Sequence, residues 1–438
     1  MSDNASRVPA RHRARGSCVA VVVGLATMLM AGPGFGQHQS AGRAQGGAIP
    51  GATLETVLVI ARHLSPELAA RALTIEAAQA RVTIARSLPD PKLLVMSDEI
   101  DRVSGPRQNK MIYGVEQEFP LWGKRDLRQA AAQAAVSQMA AQSRDAETQL
   151  VEKVKVAFAV YYTNYEAIRQ TRSLHQAVHG IAKAARDRYA LGGGSQQDAL
   201  KADLQITRVA VEIVRLEAAL LGAQGQLNAL LARPLDAPLA RPERLRAMPD
   251  TRTLAIPQLV ERARAVNPML AADAAAISGA EASRRLAERS WYPDLTIGAA
   301  ALDRTGNGPN GYQAWINAKI PLQWDMHRAQ TREAVAQAGA ARLQRDVRDQ
   351  QIQSDLAQAV AALQGARRTG DLIRRQILPQ NDMLLRSLTA AYAAGKTELG
   401  MVLQSQHDVA DFRLQLLTTD VDVQRQLAAI ERLIGSDL

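Results

Sequence analysis

Two histidines, His175 and His179, stand four residues apart, a spacing that puts two imidazoles on one face of a helix and could hold a transition-metal ion. The run His-Gln-Ala-Val-His lacks the glutamate of the zinc-protease pattern, so a solvated helix face is the ordinary reading. The only cysteine, Cys18, precedes an apolar run, whereas a lipid-anchor cysteine would follow one. No Gly-rich phosphate loop, nucleophile elbow or pair of working carboxylates stands in strand-turn-helix context. The expectation is a protein with no catalytic residues, no cofactor and no metal site, and not an enzyme.

What remains is a question of architecture. Aromatic residues make up only 4% of the 438, while Ala, Gln, Arg and Leu recur throughout, a composition of long helices more than of compact cores. Residues 1–36 read as an export signal: Arg7, Arg11, Arg13 and Arg15 precede an apolar run from Val19 to Ala31, followed by Gly34 and Gly36 near a plausible cleavage point. That run has 13 residues, short of the ~20 that a spanning helix needs, and no longer one follows. Formal charge is +10, of which the leader carries +3, and the remainder alternates in sign along helices, which argues against nucleic acid as a partner.

The chain repeats itself. Ser65-Pro66 matches Asn267-Pro268 and Pro91 matches Pro293 at an offset of 202, and Pro120-Leu121 matches Pro321-Leu322 at 201. Tyr189, Gly192 and Leu200 match Tyr392, Gly395 and Leu403 at 203, as does Leu227 to Ala232 against Ile430 to Gly435. Two structural repeats, 37–232 and 258–438, are therefore expected around a connector, 233–257, whose five prolines forbid continuous helix.

Each repeat should hold a short helix, then a β-hairpin, 91–120 or 293–321. In the first hairpin Met111, Tyr113, Val115, Gln117 and Phe119 form a mainly apolar face against Ile112, Gly114, Glu116 and Glu118. In the second, Tyr312, Ala314, Ile316, Ala318 and Ile320 oppose Gln313, Trp315, Asn317 and Lys319. Strands of about ten residues, separated by surface loops at 101–110 and 303–311, have the length of membrane-crossing β-strands. Glu116, Glu118, Asn317 and Lys319 are then candidates for an aqueous lumen, with Val115, Ile316 and Ala318 toward lipid. All four tryptophans, Trp122, Trp291, Trp315 and Trp324, lie in or beside the hairpins, where an interfacial aromatic girdle would fall. Four strands cannot close a barrel, so chains must pool them, and three chains would supply twelve.

Long helices, 124–189 and 327–392, follow, each about 100 Å long, with Pro379 the only interruption. They turn at Gly192 to Ser195 and at Gly395 to Thr397 into return helices, 196–232 and 397–434. Apolar steps of four and three along Leu200, Leu204, Thr207, Val211, Val214, Ala218 and Leu221, repeated along Leu403, His407, Ala410, Leu414, Leu417 and Val421, predict an antiparallel coiled hairpin in each half.

Phe119-Pro120-Leu121-Trp122-Gly123-Lys124-Arg125 resembles the "P-L-x-G-K-R" turn of TolC-like outer-membrane efflux proteins, notably their heavy-metal branch. Leu88-Pro89-Asp90-Pro91, Trp291-Tyr292-Pro293-Asp294, Ile377-Leu378-Pro379 and the two Tyr-x-x-Gly turns extend the likeness over nearly the whole chain after the leader. The resemblance implies a mainly α, internally duplicated protein with a transmembrane β portion. Two β-hairpins per chain would contribute to a trimeric twelve-stranded β-barrel in the outer membrane of a Gram-negative bacterium, and coiled-coil-like helices would form a periplasmic α-barrel. It implies a homotrimer set in outer-membrane lipid, a periplasmic adaptor and an inner-membrane efflux transporter as partners, and heavy-metal cations or small toxic compounds as cargo. By the same resemblance Tyr189, Gly192, Gly193, Gly194, Tyr392, Gly395 and Lys396 would form the periplasmic tip and touch the adaptor. The family often narrows its tunnel there with acidic rings, yet Lys183 and Arg386 stand six residues before the turn tyrosines. Asp187, Asp382 and Arg386 are the gate candidates.

Two other readings compete. A periplasmic adaptor also uses a long helical hairpin, but one hairpin between lipoyl-like halves, not two. A structural envelope coiled coil fits the helices and leaves the alternating, tryptophan-flanked segments without a purpose.

Overall fold

The computed structural model describes residues 49–98, 110–249, 254–304 and 310–438. The leader over 1–36 and most of both hairpin loops lie outside the described residues.

The short helix expected in each repeat is two helices, α1 (Leu54–Leu64) with α2 (Pro66–Arg86), and α5 (Ile256–Val266) with α6 (Pro268–Arg289). Proline blocks continuation of the preceding helix but sits without cost at the start of the next. Ser65 Oγ accepts from Leu68 N, and Asn267 Oδ1 accepts from Met269 N at 2.8 Å, so each joint is capped as it bends. Pro257 likewise falls in the first turn of α5, so the connector ends before the proline that was expected to close it.

The strands β1 (Lys92–Asp98), β2 (Lys110–Phe119), β3 (Asp294–Arg304) and β4 (Gly311–Lys319) form one antiparallel sheet in the order β1-β2-β3-β4. The two hairpins are therefore joined through β2 and β3, leaving β1 and β4 as open edges.

From the sheet run α3 (Lys124–Ala190) and α7 (Trp324–Leu372), the latter starting three residues earlier than expected. A π turn (Ile373–Ile377) leads from α7 into α8 (Leu378–Ala393). Pro379 has no N–H to donate and its ring crowds the preceding turn, and the widened turn absorbs both defects while the helix continues. The return helices are α4 (Gln196–Leu230) and α9 (Leu399–Ile434).

The duplication is visible in two matching cores. Val57, Ala61, Leu227 and Leu231 pack with Val154 and Phe158 of α3. Their counterparts Leu259, Ala263, Ile430 and Ile434 pack with Leu356 and Val360 of α7. A buried ion pair crosses between repeats: Lys155 of α3 donates to Glu431 of α9 at 2.7 Å and also to the exposed Asp437, while Arg246 of the connector donates to both Glu431 oxygens. Side chains with this much charge stay buried only when each is paired, so the cluster fixes how the halves meet.

The heptad stripe does not do what periodicity suggested. The seam of α4 against α3 uses Ala202, Val209, Ala223 and Leu227, all buried, while Leu200, Val211 and Val214 are exposed. Two apolar faces exist on α4, and the one with smaller residues takes the close approach to α3. In α9 the matching stripe is covered toward its ends, where Leu403 and Leu417 are 9% and 8% exposed against 62% and 66% for Leu200 and Val214, while His407 between them is exposed and Leu414 half-buried.

Candidate functional site

Register sorts the sheet into two faces. One cross-strand row runs Lys92, Glu116, Gly298, Trp315, and the next but one on the same face runs Glu118, Thr296, Asn317. Asp294 lies opposite Lys319 on that same face. All four lumen candidates, Glu116, Glu118, Asn317 and Lys319, thus share a face, and Lys92 Nζ stands 3.7 Å from Glu116. The opposite face carries Leu93, Val95, Tyr113, Val115, Leu295, Ile297, Ala299, Tyr312, Ala314, Ile316 and Ala318, with Ser97, Gln117 and Asp303 as its polar members. Val115, Ile316 and Tyr312 are exposed, so this apolar face has no cover among the described residues.

Trp315 corrects the girdle expectation, since it lies on the polar face. Its indole lies over Gly298, where an added Cβ would come within 2.2 Å of Cε2, and reaches Gly114, where one would stand 3.0 Å from Cη2. The remaining tryptophans gather where sheet becomes helix: Trp122 stacks on Tyr292 with centroids 5.1 Å apart, and Trp291 packs near Trp324 at 5.9 Å.

That junction is held by the Gly-Lys-Arg turn. Trp122 and Gly123 adopt left-handed backbone, φ 62° and 70°, which turns the chain from strand into helix. Trp122 Nε1 donates to Pro293 O at 2.9 Å, the price of a left-handed tryptophan being offset by this anchor. The buried Lys124 Nζ donates to Tyr292 O and to Asp294 Oδ2, both at 2.8 Å, and Asp294 Oδ1 accepts from Leu121 N. The end of the first hairpin is thereby bolted to the start of the second.

At the far end, Gly192 and Gly395 take positive φ, 76° and 71°, closing both helices. Gly193 N donates to Arg188 O, and Lys396 N to Ala391 O, the same closure in each repeat. Arg188 brings the two turns together: its Nη1 donates to Tyr392 O at 2.6 Å and its guanidinium lies 4.8 Å from the Tyr392 ring centroid. Burial pushes the Tyr392 phenol above its ordinary pKa. Tyr189 is exposed, because the position corresponding to Arg188 in the second repeat is Ala391. Gly194 packs against Tyr189 N, where a Cβ would come within 3.1 Å.

The gate candidates do not converge. Asp187 and Arg386 are exposed, and Asp382 accepts from Arg413 at 3.4 Å. His175 and His179 meet edge to face at 4.6 Å, and among the described residues no group of three or more His, Cys, Asp or Glu could hold a metal ion. A groove of about 850 Å³ runs between α4 and α9 over α3, lined in part by Leu174, Leu204, Arg208, Leu403, His407 and Leu414. Sequence reasoning missed Arg188, Asp294 and the Trp315 stack. Only Asp294 left a trace, in its place beside a landmark proline.

The family model for "Outer membrane efflux protein" matches residues 57–233 and 259–436. The cobalt-zinc-cadmium resistance protein CzcC of Cupriavidus metallidurans is 25% identical over 388 residues, covering 87% of this chain and 90% of that one. Among solved structures, the channel OprN superposes with a TM-score of 0.75 at 16% identity, over 87% of this chain and 90% of that one. CusC gives 0.76 at 14% identity (87% and 92%), and VceC of Vibrio cholerae gives 0.75 at 17% (88% and 96%).

Proposed function

The chain belongs to the outer membrane efflux protein family, and from that premise we propose that three copies close into one conduit, serving an inner-membrane transporter through a periplasmic adaptor. Channels of this family are non-enzymatic transport components. The conduit would carry its cargo from the periplasmic tips, through a helical tunnel, to a barrel of twelve pooled strands.

The observation that carries the assembly is the bare stripe on α4 beside its covered duplicate on α9. Leu403 packs with Ala182 and Ala185 of α3 in one cluster. Shifted by the repeat offset of 203, the same contact sets Leu200 against Leu385 and Leu388 of α8. Within the chain Leu200 is exposed, so the partner that completes the contact is the α8 of a second copy. Such a contact is heterologous, using different surfaces on each side, and it closes a ring when the rotation permits. The open β1 and β4 edges ask for the same closure, because unpaired strand edges in lipid leave each backbone group unsatisfied at a cost of several kcal/mol.

Inside the barrel, Glu116, Glu118, Asn317 and Lys319 would face water. The tips around Tyr189, Gly192, Gly193, Gly194, Tyr392, Gly395 and Lys396, with the groove between α4 and α9, would seat the adaptor's helices. Asp187, Asp382 and Arg386 would be the charges nearest the narrow end. Among the described residues no helix is long and apolar enough to cross a membrane. Divalent heavy-metal cations are the proposed cargo, supported by the likeness to CzcC, a cobalt-zinc-cadmium resistance protein, and by the Gly123-Lys124-Arg125 turn.

Three outcomes check these statements. The chain has no cysteine after Cys18, so Leu200→Cys with Leu385→Cys, treated with a short thiol crosslinker, should yield covalent trimers, whereas Leu403→Cys with Ala182→Cys should link only within one chain. A covalent ladder from the second pair and none from the first would reverse the assignment. Ala318→Arg should cost ~2 to 4 kcal/mol of barrel stability if it lies near the bilayer midplane, while Asn317→Arg should assemble and alter ion preference. Normal assembly of the first with loss of trimers in the second would exchange the faces. Deletion of the gene should lower tolerance to zinc, cobalt or cadmium. Unchanged metal tolerance with lowered drug tolerance would move the cargo to organic toxicants.

A further inference from the structure

We infer that Trp315 sets the bore of the barrel, held flat against the inner wall by a floor of Gly298, Gly114 and Ala300. The inference rests on the reading that the face with Glu116 and Asn317 is the lumen.

Trp315 is the one bulky aromatic on that face of the sheet among the described residues. An indole projecting from a strand toward a barrel axis would obstruct the channel. Here the ring instead runs sideways along the wall, crossing from β4 over β3 to the edge of β2. The floor beneath it is made of residues with little or no side chain. At Gly298 an added Cβ would meet Cε2 at 2.2 Å, Cζ2 at 2.3 Å and Nε1 at 2.7 Å, distances that real Cβ atoms do not reach. At Gly114 it would stand 3.0 Å from Cη2 and 3.1 Å from the Ala300 Cβ. Gly298 sits in the middle of a strand, where glycine weakens the ladder, and a close approach is what such a glycine permits. The methyl-free position is thus the reason the ring can lie down.

The consequence is geometric. A side chain at 298 must lift the indole off the wall, and the sheet beneath leaves the lumen as the space into which it rises. Closure by three chains would bring three indoles to one level, beside the Lys92–Glu116 pair. Each flat ring presents its π face and thickness, not its length, to passing solutes, so Trp315 governs which solute sizes clear the barrel. In this sense it is a specificity-determining residue for transport.

The test is polymer exclusion with purified trimers in planar bilayers. Graded polyethylene glycols added on the loop side sample the barrel, not the helical tunnel. Gly298→Ala should shift the polymer cut-off to smaller mass, Trp315→Ala should shift it to larger mass, and the double variant should follow Trp315→Ala. Heat-resistant trimers on gels establish assembly for each. Should Gly298→Ala not assemble, Trp315→Ala alone decides, and a cut-off equal to that of the parent overturns the inference. A parent trimer that passes no ion current would instead count against the conduit itself, whereas a conducting parent with variants indistinguishable from it removes only the role of Trp315.

Discussion

Every other feature of this chain depends on the need to pair the backbone groups on the outer edges of a four-stranded sheet. Among the described residues, nothing covers one apolar face of the sheet and nothing pairs its edges at β1 and β4. In water such an edge invites aggregation, and in lipid it cannot persist. The proposed closure with other copies would answer both demands, turning the apolar face outward and the Glu116 and Asn317 face inward. The Lys124–Asp294 pair and the Trp122 anchor matter because they fix the strands to the helices at one geometry. A barrel and a helical tunnel can share an axis only if that junction is the same in each copy.

Duplication supplies most of the design, and its broken symmetry supplies the rest. Helix α9 packs Leu403 with Ala182 and Ala185 of α3, while the matching Leu200 of α4 stays exposed. At the tips, Arg188 clamps the Tyr392 turn, yet Ala391 offers Tyr189 no equivalent. The two turns of one chain are therefore tied to each other through Arg188.

Much of this was legible in the sequence because prolines and glycines mark repeats at fixed offsets, and because period-two alternation fixes strand faces whatever the sheet order. Glu116, Glu118, Asn317 and Lys319 needed only that periodicity to be placed together. The stripe on α4 was legible as a stripe, but periodicity does not say which helix covers it. The α3 seam, built on Ala202, Val209 and Ala223, was hidden because alanine also fills solvent-facing helix positions. The broken short helices followed from Pro66 and Pro268, whose positions at a helix start and at a helix interruption look alike without the cap geometry. Trp315 was misassigned because aromatic residues near a hairpin suit a girdle, and only the register reveals glycines beneath the ring. Arg188 left no mark at all, since its partner is 204 residues away.

The central claim is that the bare edges of one chain are completed by two others. Electron microscopy of the exported protein in lipid nanodiscs tests it most directly. The account predicts a particle of three-fold symmetry, with twelve strands closed around a lumen and α4 of each chain covered by α8 of the next. A monomer, or an assembly in which α4 keeps Leu200 and Val214 in solvent, would contradict it.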